Sequence, residues 1–369
     1  MIIGEAIYNN LTVLFDKTIV AVDNGIEISG CEIIDAKGAY VSAGFIDLHV
    51  HGSGGADVMD ATPEALGTIC RTLIQTGTTS FLATTMTMAQ EAIDNAVDNV
   101  RACQNRLRGA QIVGVHLEGP FINPKKHGAQ DARFVQKPTY AAIEKHMDIV
   151  KMITLAPEME GAEAFIGQLR KYHSDVVLSI GHSEADYDTA YRSFEWGISH
   201  ATHLFNAMPP LHHRSPSIVG AVFSHEAVTC DVIADLVHLH PAILKSVWWQ
   251  KGERMVLITD AMRAGCMQNG EYELGGQRVC VHESKATLQD GTLAGSVLKM
   301  NEAVRNMVQY ADMTLPQAVA AATHIPAKKL KLNKGTIAAG YDADMVLFDE
   351  DFSIITTIVA GSVQYQRSE

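Results

Sequence analysis

The sequence predicts an α/β fold: a closed (β/α)8 barrel with a small β-sandwich domain formed by the N- and C-terminal segments. Three observations carry that prediction. Eight β-like apolar segments follow residue 40, most of them separated by helical stretches, and together they fill about 250 residues, the usual span of such a barrel. Histidines and carboxylates gather at the C-terminal ends of those segments. The two ends of the chain show little helical periodicity and read as short alternating strands with turns such as Asp23-Asn24-Gly25 and Gly340-Tyr341-Asp342. The barrel is therefore expected over 43–334 and the small domain over 1–42 and 335–369.

The eight segments run over 41–49, 78–84, 111–118, 150–156, 176–182, 197–203, 228–235 and 255–260. Several are near-continuous in Val, Ile and Leu, as expected of parallel strands buried on both faces. Between them, amphipathic patterns predict helices over 63–76, 90–107, 162–172, 185–196 and 241–250, with two more over 299–310 and 315–330 closing the barrel side. A doubly wound open sheet is the structural competitor. It has no need of eight parallel strands, nor of histidines on so many of them.

Composition narrows the function. With 47% hydrophobic residues and frequent glycine, the chain suits a globular enzyme rather than a disordered segment. A formal charge of −13 disfavours nucleic acid and anionic membranes, so an anionic substrate must meet a local basic patch. The six cysteines form no CxxC pair, and most are read as small buried residues in a reducing compartment. No apolar stretch reaches spanning length, and residues 1–10 lack a basic start and a long apolar run. A cytoplasmic location is expected.

The chemistry begins at His49-Val50-His51. Side chains alternate along a strand, so the two imidazoles point the same way and can reach one metal ion. Gly52, Gly54 and Gly55 follow and let backbone approach a ligand. Alone, the pair is explained equally well as packed core histidines. Other segments end similarly: His116 and Glu118 on the third, His182 on the fifth, His200 and His203 on the sixth, Asp235 and His238 on the seventh, Asp260 on the eighth. On a barrel these ends share one face, where the active site lies. Imidazole and carboxylate ligands suit zinc, iron, cobalt or manganese, and the absence of cysteine disfavours a purely structural zinc site. Glu118, His182 and His203 can fill three positions and leave a fourth for water. Asp260 is assigned as the carboxylate that takes the proton of that water and returns it to a leaving nitrogen.

These residues lie in longer strings: Ala43-Gly44-Phe45-Ile46-Asp47-Leu48-His49-Val50-His51-Gly52, His116-Leu117-Glu118-Gly119-Pro120-Phe121, Gly181-His182-Ser183, Ala201-Thr202-His203-Leu204-Phe205-Asn206-Ala207-Met208, Leu257-Ile258-Thr259-Asp260-Ala261 and Gly291-Thr292-Leu293-Ala294-Gly295-Ser296. In this set and order the chain resembles the amidohydrolase superfamily, and within it the N-acetylglucosamine-6-phosphate deacetylase family. The resemblance implies that Glu118, His182 and His203 bind the main metal, Asp260 is the acid-base group and His238 polarises the acetyl carbonyl. Because His49 and His51 are both kept, it allows a second ion bridged by Glu118. The carbamylated lysine of other amidohydrolases is absent, since the fourth segment ends in Ala156-Pro157-Glu158.

The resemblance also implies a substrate, an N-acetylhexosamine 6-phosphate, and a homodimer. It puts Arg214 and the Asn206-Ala207 backbone at the phosphate or sugar, with Leu293, Ala294 and Gly295 along the opposite wall. Where many relatives carry a histidine, this chain has Gln130 after Ala129, and both are assigned to the sugar. The galacto epimer of the substrate is the nearest alternative. Another amide hydrolase and a catalytically silent barrel are further ones, the last disfavoured because no metal ligand is missing.

Overall fold

The computed structural model describes residues 12–23, 26 and 30–368, so the first eleven residues and the Asn24-Gly25 turn lie outside it. Eight parallel strands form one sheet in sequential order. The first to eighth barrel strands are Phe45–Val50, Thr78–Thr85, Gln111–Glu118, Val150–Leu155, Val177–Ile180, His200–Ala201, Thr229–Ile233 and Met255–Ile258. The sheet closes on itself beyond its last strand: the Asp260 N–H donates to His49 O at 2.8 Å, and the His51 and Gly52 N–H groups share Ala261 O at 2.8 and 3.0 Å. An open doubly wound sheet is thereby excluded.

A buried carboxylate reinforces the closure. Asp47 Oδ1 accepts from the His49 and Thr259 N–H groups at 3.1 and 3.3 Å, while Oδ2 accepts from the Thr259 hydroxyl at 2.5 Å. Burial pushes its carboxyl up to about 6, against the pull of the Thr259 hydrogen bond.

The helices follow local signals. In Pro63–Leu73, Thr62 Oγ1 accepts from the Ala65 N–H at 3.2 Å, proline occupies the first turn, and Leu66, Ile69, Cys70 and Leu73 are buried. The chain leaves this helix region at Gly77, whose φ of +81° and closeness to the Phe45 ring (2.8 Å from a would-be Cβ) leave room for glycine alone. Among the described residues no helix is long and apolar enough to cross a membrane.

Several expectations change. The segment 41–49 is two strands: Tyr40–Ala43 belongs to the small domain, Phe45–Val50 to the barrel, and Gly44 turns between them with Thr79 so close that a Cβ would lie 2.2 Å from its side chain. The helix expected over 315–330 breaks into Leu315–Ala322 and His324–Lys329, because Pro326 cannot donate to residue 322 and its ring crowds that carbonyl. Between the third and fourth barrel strands there is no α-helix, only four short 3-10 turns between Pro124 and His146.

The small domain pairs both ends of the chain. Tyr40–Ala43, Met345–Phe348, Ile354–Val359 and Ser362–Gln366 form an antiparallel sheet. Against it lies the hairpin Thr12–Phe15 with Ile19–Asp23, and Ile19, Met345, Leu347 and Ile358 fill the space between. A second unit was not expected. Gly270–Leu274, Gln277–His282 and Lys285–Thr287 form a three-stranded antiparallel sheet inserted after the eighth barrel strand. Its tight turn is Gly275-Gly276, both at positive φ.

Candidate metal centre and active site

Five of the expected metal ligands converge on one point at the C-terminal mouth of the barrel. Glu118 Oε1 lies 3.3 Å from His49 Nε2, 3.2 Å from His182 Nε2 and 3.1 Å from His203 Nε2. Its other oxygen, Oε2, lies 3.2 Å from His51 Nε2. Two ligand groups therefore share one carboxylate: His49, His51 and Glu118 on one side, Glu118, His182 and His203 on the other. Asp260 Oδ1 stands beside the first, 3.4 and 3.3 Å from the Nε2 atoms of His49 and His51.

The donor set fits a cation. His51 Nδ1–H donates to Thr84 O at 3.3 Å and His182 Nδ1–H to Lys126 O at 2.8 Å, which leaves the Nε2 lone pairs facing inward. His182 and His203 bring their Nε2 atoms within 3.2 Å of each other, as do His49 and His51. Lone pairs so placed repel unless a positive charge lies between them. The field agrees. Burial works against a charged His51, yet Asp260 and Glu118 outweigh it and raise its pKa well above the usual value. Burial likewise disfavours the Glu118 anion, and the surrounding imidazoles, His49 first, hold its carboxyl well below the usual range. Asp260 is held at about 2, burial being overcome by His49 and His51. A site that favours positive charge this strongly would exchange protons for a metal ion.

The backbone aims these side chains in an unusual way. His182, His203 and Asp260 each follow the last residue of a barrel strand closely and have φ of 47, 33 and 49°. That left-handed turn at the strand end swings the side chain over the barrel axis. Nothing in a single sequence marks it.

A cavity of about 240 Å3 opens above the cluster. This is small beside the roughly 300–1,000 Å3 of pockets for drug-sized ligands, and suits one compact ring. Of the expected residues, His51, Glu118, Ala129, Gln130, His182, His203, Asn206, Ala207, His238, Asp260, Leu293 and Gly295 line it. His49 lies beneath, fully buried. His238 Nδ1 is committed to Asp235 Oδ2 at 2.7 Å, so its Nε2 is the nitrogen left for a ligand.

Two assignments change. Arg214 is exposed, with Nη1 2.7 Å from His213 Nε2, and does not line the cavity. Its loop, which begins near Asn206 and Ala207, swings outward. Ala294 is wholly buried in the cluster around Met262 and Ala286, so only its neighbours reach the wall. Met86, Leu274 and Thr292 line the cavity without having been expected. Leu274 comes from the inserted sheet, whose position no local pattern announces. His116 and His200 are core groups: His116 bonds Leu48 O and Thr154 Oγ1, and His200 bonds Thr229 Oγ1 and Asp231 Oδ2. Burial lowers the pKa of both.

Comparison with known proteins agrees with this geometry. The model of the amidohydrolase family matches residues 40–363. A relative from Lysinibacillus sphaericus, N-acetylglucosamine-6-phosphate deacetylase, is 40% identical over 363 residues, covering 96% of this chain and 92% of its own. N-acetylgalactosamine-6-phosphate deacetylase from Escherichia coli O157:H7 is 34% identical, with 86% of each chain covered. Among solved structures, an aspartate-to-alanine mutant of N-acetyl-D-glucosamine-6-phosphate deacetylase from Mycobacterium smegmatis, in complex with N-acetyl-D-glucosamine-6-phosphate, superposes with a TM-score of 0.88 at 32% identity, covering 96% of this chain and 94% of that one.

Proposed function

The chain belongs to the amidohydrolase family, and from that premise we propose that it hydrolyses the acetamide of N-acetyl-D-glucosamine 6-phosphate to acetate and D-glucosamine 6-phosphate. The observation that carries the reading is the Glu118 carboxylate shared by four imidazoles, with Asp260 beside it under a ring-sized cavity. Glu118, His182 and His203 would hold one divalent ion, and His49 and His51, with the other oxygen of Glu118, a second. Bound there, zinc, iron, cobalt or manganese supplies Lewis-acid polarisation and lowers the pKa of water from about 15.7 toward about 7.

The protein's own groups do the rest. Asp260, held ionised, accepts the proton of the attacking water and returns it to the departing nitrogen, so that the C–N bond breaks with a neutral amine leaving. His238, oriented by the Asp235 carboxylate that accepts from its Nδ1–H, presents Nε2 to the acetyl oxygen and, as the imidazolium, donates to it as negative charge develops there. Asn206, Ala207, Ala129, Leu293 and Gly295 hold the sugar, and Arg214, which lies outside the cavity on the loop that follows Asn206, would meet the phosphate only when that loop folds inward. Six scattered cysteines with no CxxC pair favour a reducing, cytoplasmic setting, and the resemblance alone favours a homodimer.

The galacto epimer is the second reading, favoured by the E. coli relative. Acetate release measured on both phosphorylated epimers and on unphosphorylated N-acetylglucosamine separates them. The gluco phosphate should be turned over with the highest kcat/KM. A preference for the galacto phosphate would move the substrate to that epimer, and no release from any of the three would remove the activity.

A further inference from the structure

The resemblance assigns Gln130 to the sugar, but its side chain is engaged elsewhere. It is 3% exposed, its Oε1 accepts from the Thr87 N–H at 2.6 Å, and its Nε2 donates to Glu118 Oε2. The amide cannot be turned round. Thr87 offers a backbone donor, so the oxygen must face it, and the nitrogen must then face the carboxylate.

The backbone of Gln130 is fixed just as firmly. Its N–H donates to His127 O at 2.8 Å and its carbonyl accepts from His127 Nδ1 at 2.8 Å. The preceding carbonyl, Ala129 O, accepts from Gln277 Nε2 of the inserted sheet at 2.6 Å. The clamp is therefore built from the protein alone.

Its target is selective. Glu118 Oε1 is surrounded by His49, His182 and His203, whereas Oε2 meets only His51 and Gln130 among the described side chains. The terminal torsion of a glutamate is broad, so a second fixed donor is what holds Oε2 toward His51. The donor is also neutral. It orients the carboxylate without cancelling the charge that a cation needs, which a lysine in its place would do.

Resting on the reading of this cluster as a metal centre, we infer that Gln130 is a positioning residue for Glu118 that tunes metal affinity in the half of the centre built on His49 and His51. Partners that orient a ligand in this way typically contribute about 10–100-fold in metal affinity. The test needs no substrate. Metal-stripped chain is titrated with zinc alone, by calorimetry, in the wild type, in Gln130→Met and in a His49→Gln/His51→Asn double variant. The double variant identifies the binding event that depends on the first-strand pair.

That event should weaken roughly tenfold or more in Gln130→Met, while the other changes much less. Gln130→Asn, whose shorter side chain cannot span Thr87 and Glu118, should repeat the result and serves if the methionine variant does not fold. Zinc affinity equal to wild type at both events, with only KM for the sugar raised, would overturn the inference and return Gln130 to the sugar. So would a wild-type chain in which no event depends on His49 and His51. A wild-type chain that takes up no zinc at all would overturn the metal-centre reading itself, and this inference with it.

Discussion

At the scale of the residue, the chemistry depends on side chains held in conformations that cost free energy. A non-glycine residue in the left-handed region costs on the order of 1–3 kcal/mol, and His182, His203 and Asp260 all lie there. The surrounding hydrogen bonds over-determine the turns: Asp260 N–H is tied to His49 O, and Ser296 N–H is tied to Asp260 O at 2.7 Å. Asp260→Asn keeps the shape and loses the proton acceptor, so kcat should fall by about a hundredfold or more while the metal content is unchanged. Turnover near that of the wild type would remove Asp260 from proton transfer. Arg214 tests the phosphate assignment. Arg214→Ala should lower kcat/KM for the phosphorylated sugar about tenfold or more beyond its effect on the plain sugar, the size expected of charge-assisted hydrogen bonds. An equal loss on both substrates would make it a support of its loop.

At the scale of the element, the eight barrel strands were legible because most are apolar runs separated by helical pattern, and the site followed because strand ends share a face. The limits of that legibility are physical. Residues 41–49 read as one β-like segment, and its division between two sheets at Gly44, against Thr79, is a tertiary fact. The inserted sheet alternates in burial over Gln277–His282, yet its role as a cavity wall depends on Leu274, which lines the cavity together with Gly128 and Gln130. Gln130 is assigned to the sugar only through the resemblance, and its bonds to Thr87 and Glu118 appear only in the fold.

The helix His324–Lys329 offers a prediction of its own. Lys329 is half-buried, its Nζ donates to Ser199 O at 2.7 Å, and desolvation depresses its pKa from 10.5 to about 8. Below pH 8 the group is charged in the folded and unfolded chain alike and contributes no pH dependence. Between 8 and 10.5 the unfolded chain keeps a proton that the folded chain has released, so stability should rise with pH there, by on the order of 1–3 kcal/mol. Lys329→Met should abolish that rise, as denaturant unfolding at a series of pH values would record. The Ser199 carbonyl would remain satisfied by Thr229, whose N–H and hydroxyl lie 3.2 and 3.1 Å away. A rise that persists in the variant would assign it to another group.

At the scale of the whole molecule, one arrangement joins the ends of the chain to the site. The small domain ties Tyr40–Ala43 to Met345–Phe348, directly ahead of the strand that leads to His49 and His51, and barrel closure brings that strand against the one that leads to Asp260. A net charge of −13 makes the cluster attractive to cations and leaves an anionic substrate dependent on few local groups. The central claim is metal-dependent release of acetate, and the most direct measurement is acetate formed from N-acetyl-D-glucosamine 6-phosphate by the chain as purified, after chelation and after re-addition of zinc, iron, cobalt or manganese. Release should stop when the metal is removed and return with at least one of these ions. Undiminished release from chain shown by elemental analysis to be metal-free would contradict it.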